Sequence, residues 1–399
     1  MNKLVRKKLK NGITVLFEKR DLPLVSLSIS NPFGGAFEKS EIKGIAHFIE
    51  HLLFTGTKTR THEDISREIE KKGGILNAFT GNEVTSFLFK LPSEHVMAGL
   101  EILTDMINNS VMNEVKFEKE KKVIIEEIKM YHDDPRRLAM EKIEGCLYDK
   151  PFGENIIGSE ETIRAMKRDF VFNFFKDNYN PGNFIVTIVG NADIDKICTF
   201  LEKSFKGNGK KYAPLSIKKI NKDFTEERGQ IDQAHFIMGM HAPLINSKEY
   251  AALEVLNSYL ADGMSSKLFL KIREEKGLAY VVKGSIGAEK GYSYYFIYVG
   301  TRKEAIEEIK KIIIEEFKNV DNITDKEFKE AKQRVIGSKR VESEDSSGVM
   351  NELLFYEISD KAESYYTHEK RISSVKIESV KKIAKELIKK YSISMVIPK

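Results

Sequence analysis

The sequence predicts an α+β domain used twice, and three observations carry that reading. The chain has 399 residues, beyond the ~250–300 at which a single hydrophobic core stops growing. Its two halves run through the same programme at a separation of roughly 200 residues, longer than any solenoid period. IEKKGGILNAF from Ile69 lies over IREEKGLAY from Ile272, and NEVKFEKEKKVII from Asn113 lies over TDKEFKEAKQRVI from Thr324. Each half then closes on a helix-like stretch running into a β-rich strand, NFIVTIVGN in the first and YSISMVIPK in the second. Sheet direction stays open at this stage, because the strands are joined by long helical excursions as well as by hairpins.

Between the repeats lies Lys206 to Asn221, KGNGKKYAPLSIKKIN, a polar stretch with Gly and Pro and no helical stripe. It divides the chain into an N-terminal domain 1–205, a linker 206–221 and a C-terminal domain 222–399. Composition excludes several function classes. The hydrophobic share of 41% and the charged share of 31% are those of a soluble protein, and no apolar run approaches the ~20 residues of a membrane span. The start, MNKLVRKKLKNGITVLFEKR, passes into strand-like alternation without the apolar core of a signal peptide. Two cysteines, Cys146 and Cys198, make neither a disulfide framework nor a thiolate metal site. A cytoplasmic protein is expected. The net charge of +5 comes from 65 basic against 60 acidic residues in mixed-sign runs such as EKEKK, so no phosphate-binding stripe forms and nucleic acid is not an expected partner.

The chemistry concentrates in GIAHFIEHLLFTGTKTR. Ile45, Phe48, Ile49, Leu52 and Leu53 fit a buried helix. On that helix His47 and His51, four apart, present two imidazoles to one metal, and Glu50 lies beside them to take a proton from water. The order inverts the His-Glu-x-x-His pattern. Catalytic zinc needs a third protein ligand and an open position, which points to FEKEKKVIIEEIKMYHDD. Two adjacent glutamates compete there. Glu127 shares a helical stripe with Glu120, Ile124, Ile128 and Tyr131, whereas Glu126 shares one with Lys119, Lys122, Val123 and Met130. A carboxylate on the more buried stripe needs a cation, which selects Glu127 and one zinc per chain. Glu120, two turns earlier, is either a carboxylate orienting a ligand histidine or a solvated residue.

With these residues in place the chain resembles the pitrilysin family of inverted-motif zinc peptidases, in its two-domain form related to the mitochondrial processing peptidase. The resemblance runs through the HFIEH helix, GTKTR, IIEEI, NYNPGNFIVTIVGNAD and IREEKGLAY. It implies a metallopeptidase fold of the processing-peptidase type: two homologous α/β-roll domains with mostly antiparallel sheets packed with helices. It implies Glu127 as third ligand and a substrate-binding edge strand at Asn77, Ala78, Phe79 and Thr80, which would add an extended peptide through its backbone. The second half has no His-x-x-x-His pair. There the resemblance implies Arg273 and Tyr280 as groups acting on substrate, Tyr as an oxyanion donor and Arg as a carbonyl or carboxylate binder. LADGMSSKLF stands where the non-catalytic mitochondrial subunit carries a glycine-rich loop, which argues against a dedicated presequence role. The resemblance further implies a homodimer closing an enclosed chamber around peptide substrates. The alternative is a non-catalytic structural or partner subunit of the same fold.

Overall fold

The computed structural model describes residues 4–207, 212, 213 and 215–399. They pack into two compact units. The first comprises Met1–Ile128, Asn155–Leu215 and Glu342–Tyr365, and the second Lys129–Glu154, Ser216–Val341 and Tyr366–Lys399.

The first unit holds a six-stranded sheet. Its strands are β1 (Leu4–Lys8), β2 (Thr14–Lys19), β3 (Leu24–Asn31), β4 (Ile75–Thr80), β5 (Thr85–Pro92) and β6 (Ile185–Gly190), in the order β1-β2-β6-β3-β5-β4. Only β2 and β6 run parallel; the other neighbours are antiparallel. Side chains alternate between two buried faces. On β3, Val25, Leu27 and Ile29 enter the main core with Val15, Phe17, Phe87 and Phe89. Ser26, Ser28 and Ser30 between them are equally buried on the opposite face, where the helix Ser346–Ser359 lies against β3 and β6.

Helices α1 (Ile45–Leu53), α2 (His62–Glu70), α3 (Val96–Asn109) and α4 (Glu114–Asp133) follow in chain order. Thr61 and Asp64 close a reciprocal capping box at the start of α2. Helix α1 packs against β4 and β5, with only Glu50 and His51 of its nine residues not fully buried. Its entry is tightly determined. Gly44 stands at φ 97°, and a Cβ there would meet the Ile157 carbonyl oxygen at 2.6 Å, so only glycine fits. The buried Glu38 carboxyl accepts the Gly44 and Ala46 N–H groups at 2.9 and 2.7 Å, satisfying donors that a helix N-terminus leaves without partners. Next to it the buried Lys43 ammonium donates to the Gly35 carbonyl at 2.7 Å.

The second unit carries β7 (Phe224–Arg228), β8 (Ala234–His241), β9 (Ala279–Ala288), β10 (Ser293–Thr301) and β11 (Ser392–Pro398), ordered β7-β11-β8-β10-β9 with β7 and β11 parallel. This repeats the order β2-β6-β3-β5-β4 strand for strand, parallel pair included. Both sheets are mostly antiparallel, and the architecture is the two-domain mixed fold expected from sequence. One face of the second sheet sends Phe236, Met238 and Tyr295 into a core with the helices Tyr250–Leu260, Ile306–Asn319 and Ile377–Ile388. Helix α5 (Pro135–Leu147) packs on β8 and β11. Its Ile143 sits so close to Gly239 of β8 that a Cβ there would stand 2.5 Å from the side chain.

The units depart from the contiguous stretches 1–205 and 222–399 in one respect. Each takes a helix from the other half of the sequence: Ser346–Ser359 joins the first sheet and α5 the second. The apolar faces decide this. Val349, Met350, Leu353 and Leu354 cover Leu16, Ile185 and Val189 of the first sheet, while α5 buries Leu138, Ile143 and Leu147. The change of unit after Leu215 falls inside the expected linker, of which residues 208–211 and 214 lie outside the described ones.

Burial pushes the Glu38 carboxyl up from its ordinary 4.5 to about 7, against the opposing pull of Lys43 and the two N–H groups. A proton held more tightly by the folded state favours folding below the unfolded value and loses that effect as pH rises through the folded one. Stability of the wild type relative to Glu38→Gln should therefore fall by roughly 3 kcal/mol from low pH to just above neutrality and then level off. Chemical denaturation across that range measures it. Glu38→Ala, which strips both N–H groups of their acceptor and likewise removes the titrating carboxyl, should lower stability by about 2–4 kcal/mol at low pH and by less above neutrality.

Candidate metal centre

The motif helix α1 places the His47 and His51 rings on one face, centroids 4.7 Å apart and inclined at 63°. Helix α4 crosses beside it, held by Phe117 against Phe48 at 4.8 Å between ring centroids. From α4, Glu127 Oε2 lies 3.8 Å from His47 Nε2 and 3.5 Å from His51 Nε2. Two ligand atoms bound tetrahedrally to one zinc at ~2.0–2.1 Å stand roughly 3.3 Å apart, so this spacing suits a shared ion. One ligand atom from each of the three residues falls within 4.8 Å of the others, and no other such group occurs among the described residues. Glu126, on the neighbouring stripe, is exposed with Val123 and Met130, whereas Ile124 is fully buried.

Glu120 Oε2 sits 3.4 Å from His51 Nδ1. Accepting the Nδ1 proton fixes the tautomer in which Nε2 is left to bind a metal. Burial, reinforced by His51, pushes His47 down to about 4, so its imidazole is neutral near pH 7 and able to ligate. His47 Nδ1 is buried with no hydrogen-bond partner among the described residues. Burial also presses on His51, but its hydrogen bonds to the Glu120 and Glu127 carboxylates outweigh it and raise it to about 9. The same carboxylates that favour a positive charge on His51 would favour a divalent cation between His51 and Glu127. Two imidazoles, one carboxylate and a cationic slot between them fit zinc with an open position.

The Glu50 carboxyl, half-buried beside His51, accepts the Thr80 hydroxyl at 2.5 Å. Burial raises it above the usual carboxylate range, and the Thr80 bond pulls the other way. Thr80 ends β4, the edge strand, which among the described residues pairs only with β5, through Asn77↔Leu88, Ala78↔Phe87, Phe79↔Ser86 and Thr80↔Thr85. A cavity of about 380 Å³ opens beside Glu50 and His51, lined also by Phe54, His62, Lys116 and Lys119.

In the second unit Arg273 and Tyr280 meet each other. The guanidinium stacks 4.7 Å from the Tyr280 ring centre, donates to the Tyr280 carbonyl at 3.0 Å, and lies 4.9 Å from the Phe269 ring centre. Tyr280 is 72% exposed. The histidines of this unit have local partners: His132 Nε2 the Arg228 guanidinium at 3.5 Å, His235 Nδ1 the Tyr298 hydroxyl at 2.9 Å, His241 Nε2 the Ile220 carbonyl at 2.8 Å, and His368 Nε2 Glu254 at 2.9 Å.

Sequence reasoning missed three features of the site. The Thr80 hydroxyl on Glu50 has no sequence signature, because it depends on how β4 packs on α1. The Glu38 anchor likewise reads as an ordinary surface glutamate. Lys116 was within reach, since it shares the 116–120–124–127 stripe with Glu127.

Residues 14–160 match the family Insulinase (Peptidase family M16), and residues 165–335 match the Peptidase M16 inactive domain. An uncharacterised zinc protease of Rickettsia felis is 34% identical over 340 residues, covering 82% of this chain and 81% of the relative. The chain belongs to peptidase family M16. An uncharacterised zinc protease of Bacillus subtilis is 29% identical and covers 97% of both chains. The same M16 fold is seen in a protease from Helicobacter pylori, with a TM-score of 0.91 at 22% identity over 99% of each chain. His47, His51 and Glu127 all fall in the first matched region, and Arg273 and Tyr280 fall in the second.

Zinc titration of purified variants tests the assignment of ligands. Glu127→Gln should abolish stoichiometric binding and Glu126→Gln should leave it intact. Glu120→Gln should weaken it about ten- to a hundredfold, as losing a carboxylate behind a ligand histidine does elsewhere. Loss of zinc from the Glu126 variant instead of the Glu127 variant would reverse the choice.

Proposed function

We propose that this M16 chain is a zinc metalloendopeptidase that hydrolyses unstructured peptides, with one zinc per chain. The observation that carries the reading is the convergence of His47, His51 and Glu127, with Glu50 beside them. Zinc held by His47, His51 and Glu127 would supply Lewis acidity and lower the pKa of a water toward neutrality. Glu50 takes that water's proton as general base, its raised carboxyl pKa bringing it closer to working pH. Thr80 orients the Glu50 carboxylate, and Glu120 holds the His51 ring with Nε2 toward the ligand position. The peptide adds to the outer edge of β4 along Asn77, Ala78, Phe79 and Thr80 through backbone hydrogen bonds, which demands an extended segment and reads side chains weakly. Arg273 and Tyr280 are proposed to bind and polarise the substrate carbonyl. The resemblance to two-domain peptidases supports a cytoplasmic homodimer enclosing its substrate. Among the described residues no helix is long and apolar enough to cross a membrane. Retention of a complete donor set together with Glu50 favours an enzyme over a non-catalytic subunit of the same fold.

One set of variants assayed on a mixed peptide library tests the mechanism. Glu50→Gln should keep zinc and lose turnover, since an amide cannot accept the proton. Thr80→Val should lower kcat with zinc affinity unchanged, and Thr80→Ser should restore it. Tyr280→Phe should lower kcat by roughly ten- to a thousandfold, as loss of one oxyanion donor does. Full activity after zinc is removed by a chelator, or in Glu50→Gln, would end the zinc-peptidase reading.

Substrate form is tested separately. A flexible peptide of about 20–30 residues should be cut, while a stable folded domain carrying the same sequence should resist, because only the first can add a strand. Comparable rates on both would remove the edge-strand and chamber arguments and leave the zinc chemistry standing.

A further inference from the structure

We infer that the cavity beside Glu50 and His51 is a carboxylate-binding subsite. It receives an acidic side chain next to the bond being cut, or the C-terminal carboxylate of the peptide itself. The inference rests on the peptidase reading and names the chemistry its substrates carry. The cavity, about 380 Å³, is large enough for one side chain, and its lining carries charges of both signs.

Two carboxyl groups of the lining already have partners: Glu50 receives the Thr80 hydroxyl and Glu120 faces His51 Nδ1. The other charged groups of the lining come from the start of α4. Lys116 and Lys119 lie one turn apart, and at 1.5 Å rise per residue they are roughly 16 and 12 Å along the helix from Glu127. Lys116 is half-buried and donates one of its three protons to the Thr55 carbonyl at 2.5 Å, which leaves two donors on a positioned ammonium. Lys119 is exposed and has neither hydrogen bond nor ion pair among the described residues. His62, whose Nδ1 donates to the Phe54 carbonyl at 2.9 Å, and the half-buried Phe54 ring complete the wall. An apolar ring beside two ammonium groups suits the methylenes and terminal carboxylate of a glutamate. A lysine or arginine entering the same space would face two like charges.

The test uses full-length, zinc-loaded protein and two matched peptide pairs. One pair differs only by Glu or Gln at the positions flanking the cleaved bond. The other differs only by a free or amidated C-terminus close behind that bond. Affinity is read by fluorescence anisotropy on the Glu50→Gln variant, and kcat/KM on the wild type. A preference of about two- to fivefold for the carboxylate member is expected, the range of ion pairs that stay partly solvated. Preference in the first pair assigns the subsite to a side chain, and preference in the second alone assigns it to the peptide terminus. Lys119→Met should cut the preference, and Lys119→Glu should turn it toward a lysine peptide. Lys119 is exposed on a helix, so these variants should fold normally, and they carry the decision rather than Lys116, which also holds Thr55. Equal affinity within both pairs overturns the carboxylate subsite and leaves the peptidase standing. Failure of every peptide to bind and be cut overturns both.

Discussion

Burying α1 is the constraint around which the first unit is arranged. Three ionisable side chains on a nine-residue helix are taken largely out of water, and charged groups tolerate that only when something nearby answers them. His47 answers by staying neutral, pushed down to about 4. His51 is answered by Glu120 and Glu127 from α4, and Glu50 by Thr80 from β4. The helix N-terminus is answered by Glu38. Three separate chain segments thus converge on one short helix, each satisfying a group that would otherwise oppose folding. The same convergence produces a metal-binding geometry, so much of what stabilises the helix also prepares the site.

The second unit shows the same scaffold without that chemistry. Its strand order repeats the first, down to the single parallel pair. Of its four histidines, His235, His241 and His368 are tied to a hydroxyl, a carbonyl and a carboxylate, His132 lies beside Arg228 and Asp133, and none shares a metal-holding cluster with another among the described residues. What stands out there is a stacked Arg273 and exposed Tyr280. The pair illustrates how a duplicated fold diverges: the core is kept and the reactive positions are rewritten. The exchange of helices between halves follows from the same sheets. Each presents two apolar faces, and a helix from the other half of the sequence covers one of them in each unit.

Much of this was legible in the chain itself. Helical spacing put His47, Glu50 and His51 on one surface, and comparing two stripes of α4 separated Glu127 from Glu126 without any coordinates. Both readings rest on the 3.6-residue period, a local property that tertiary packing seldom overturns in a strongly patterned helix. The internal repeat announced two related domains for a similar reason, since it compares local patterns with each other.

Relations between segments distant in sequence were decided only by the tertiary structure. Which sheet α5 and Ser346–Ser359 would cover depended on complementary apolar faces far apart along the chain, and no local period encodes that. The direction of the sheets belongs to the same class. So does the Thr80 hydroxyl on Glu50, where the sequence marked a backbone position in an edge strand and packing added a side-chain bond across to α1. The sequence alone determined which residues could ligate a metal, because ligand spacing on a helix is set within a few residues. Packing decided what holds those ligands neutral, oriented and partnered, because burial and hydrogen bonding come from whatever the rest of the chain brings alongside.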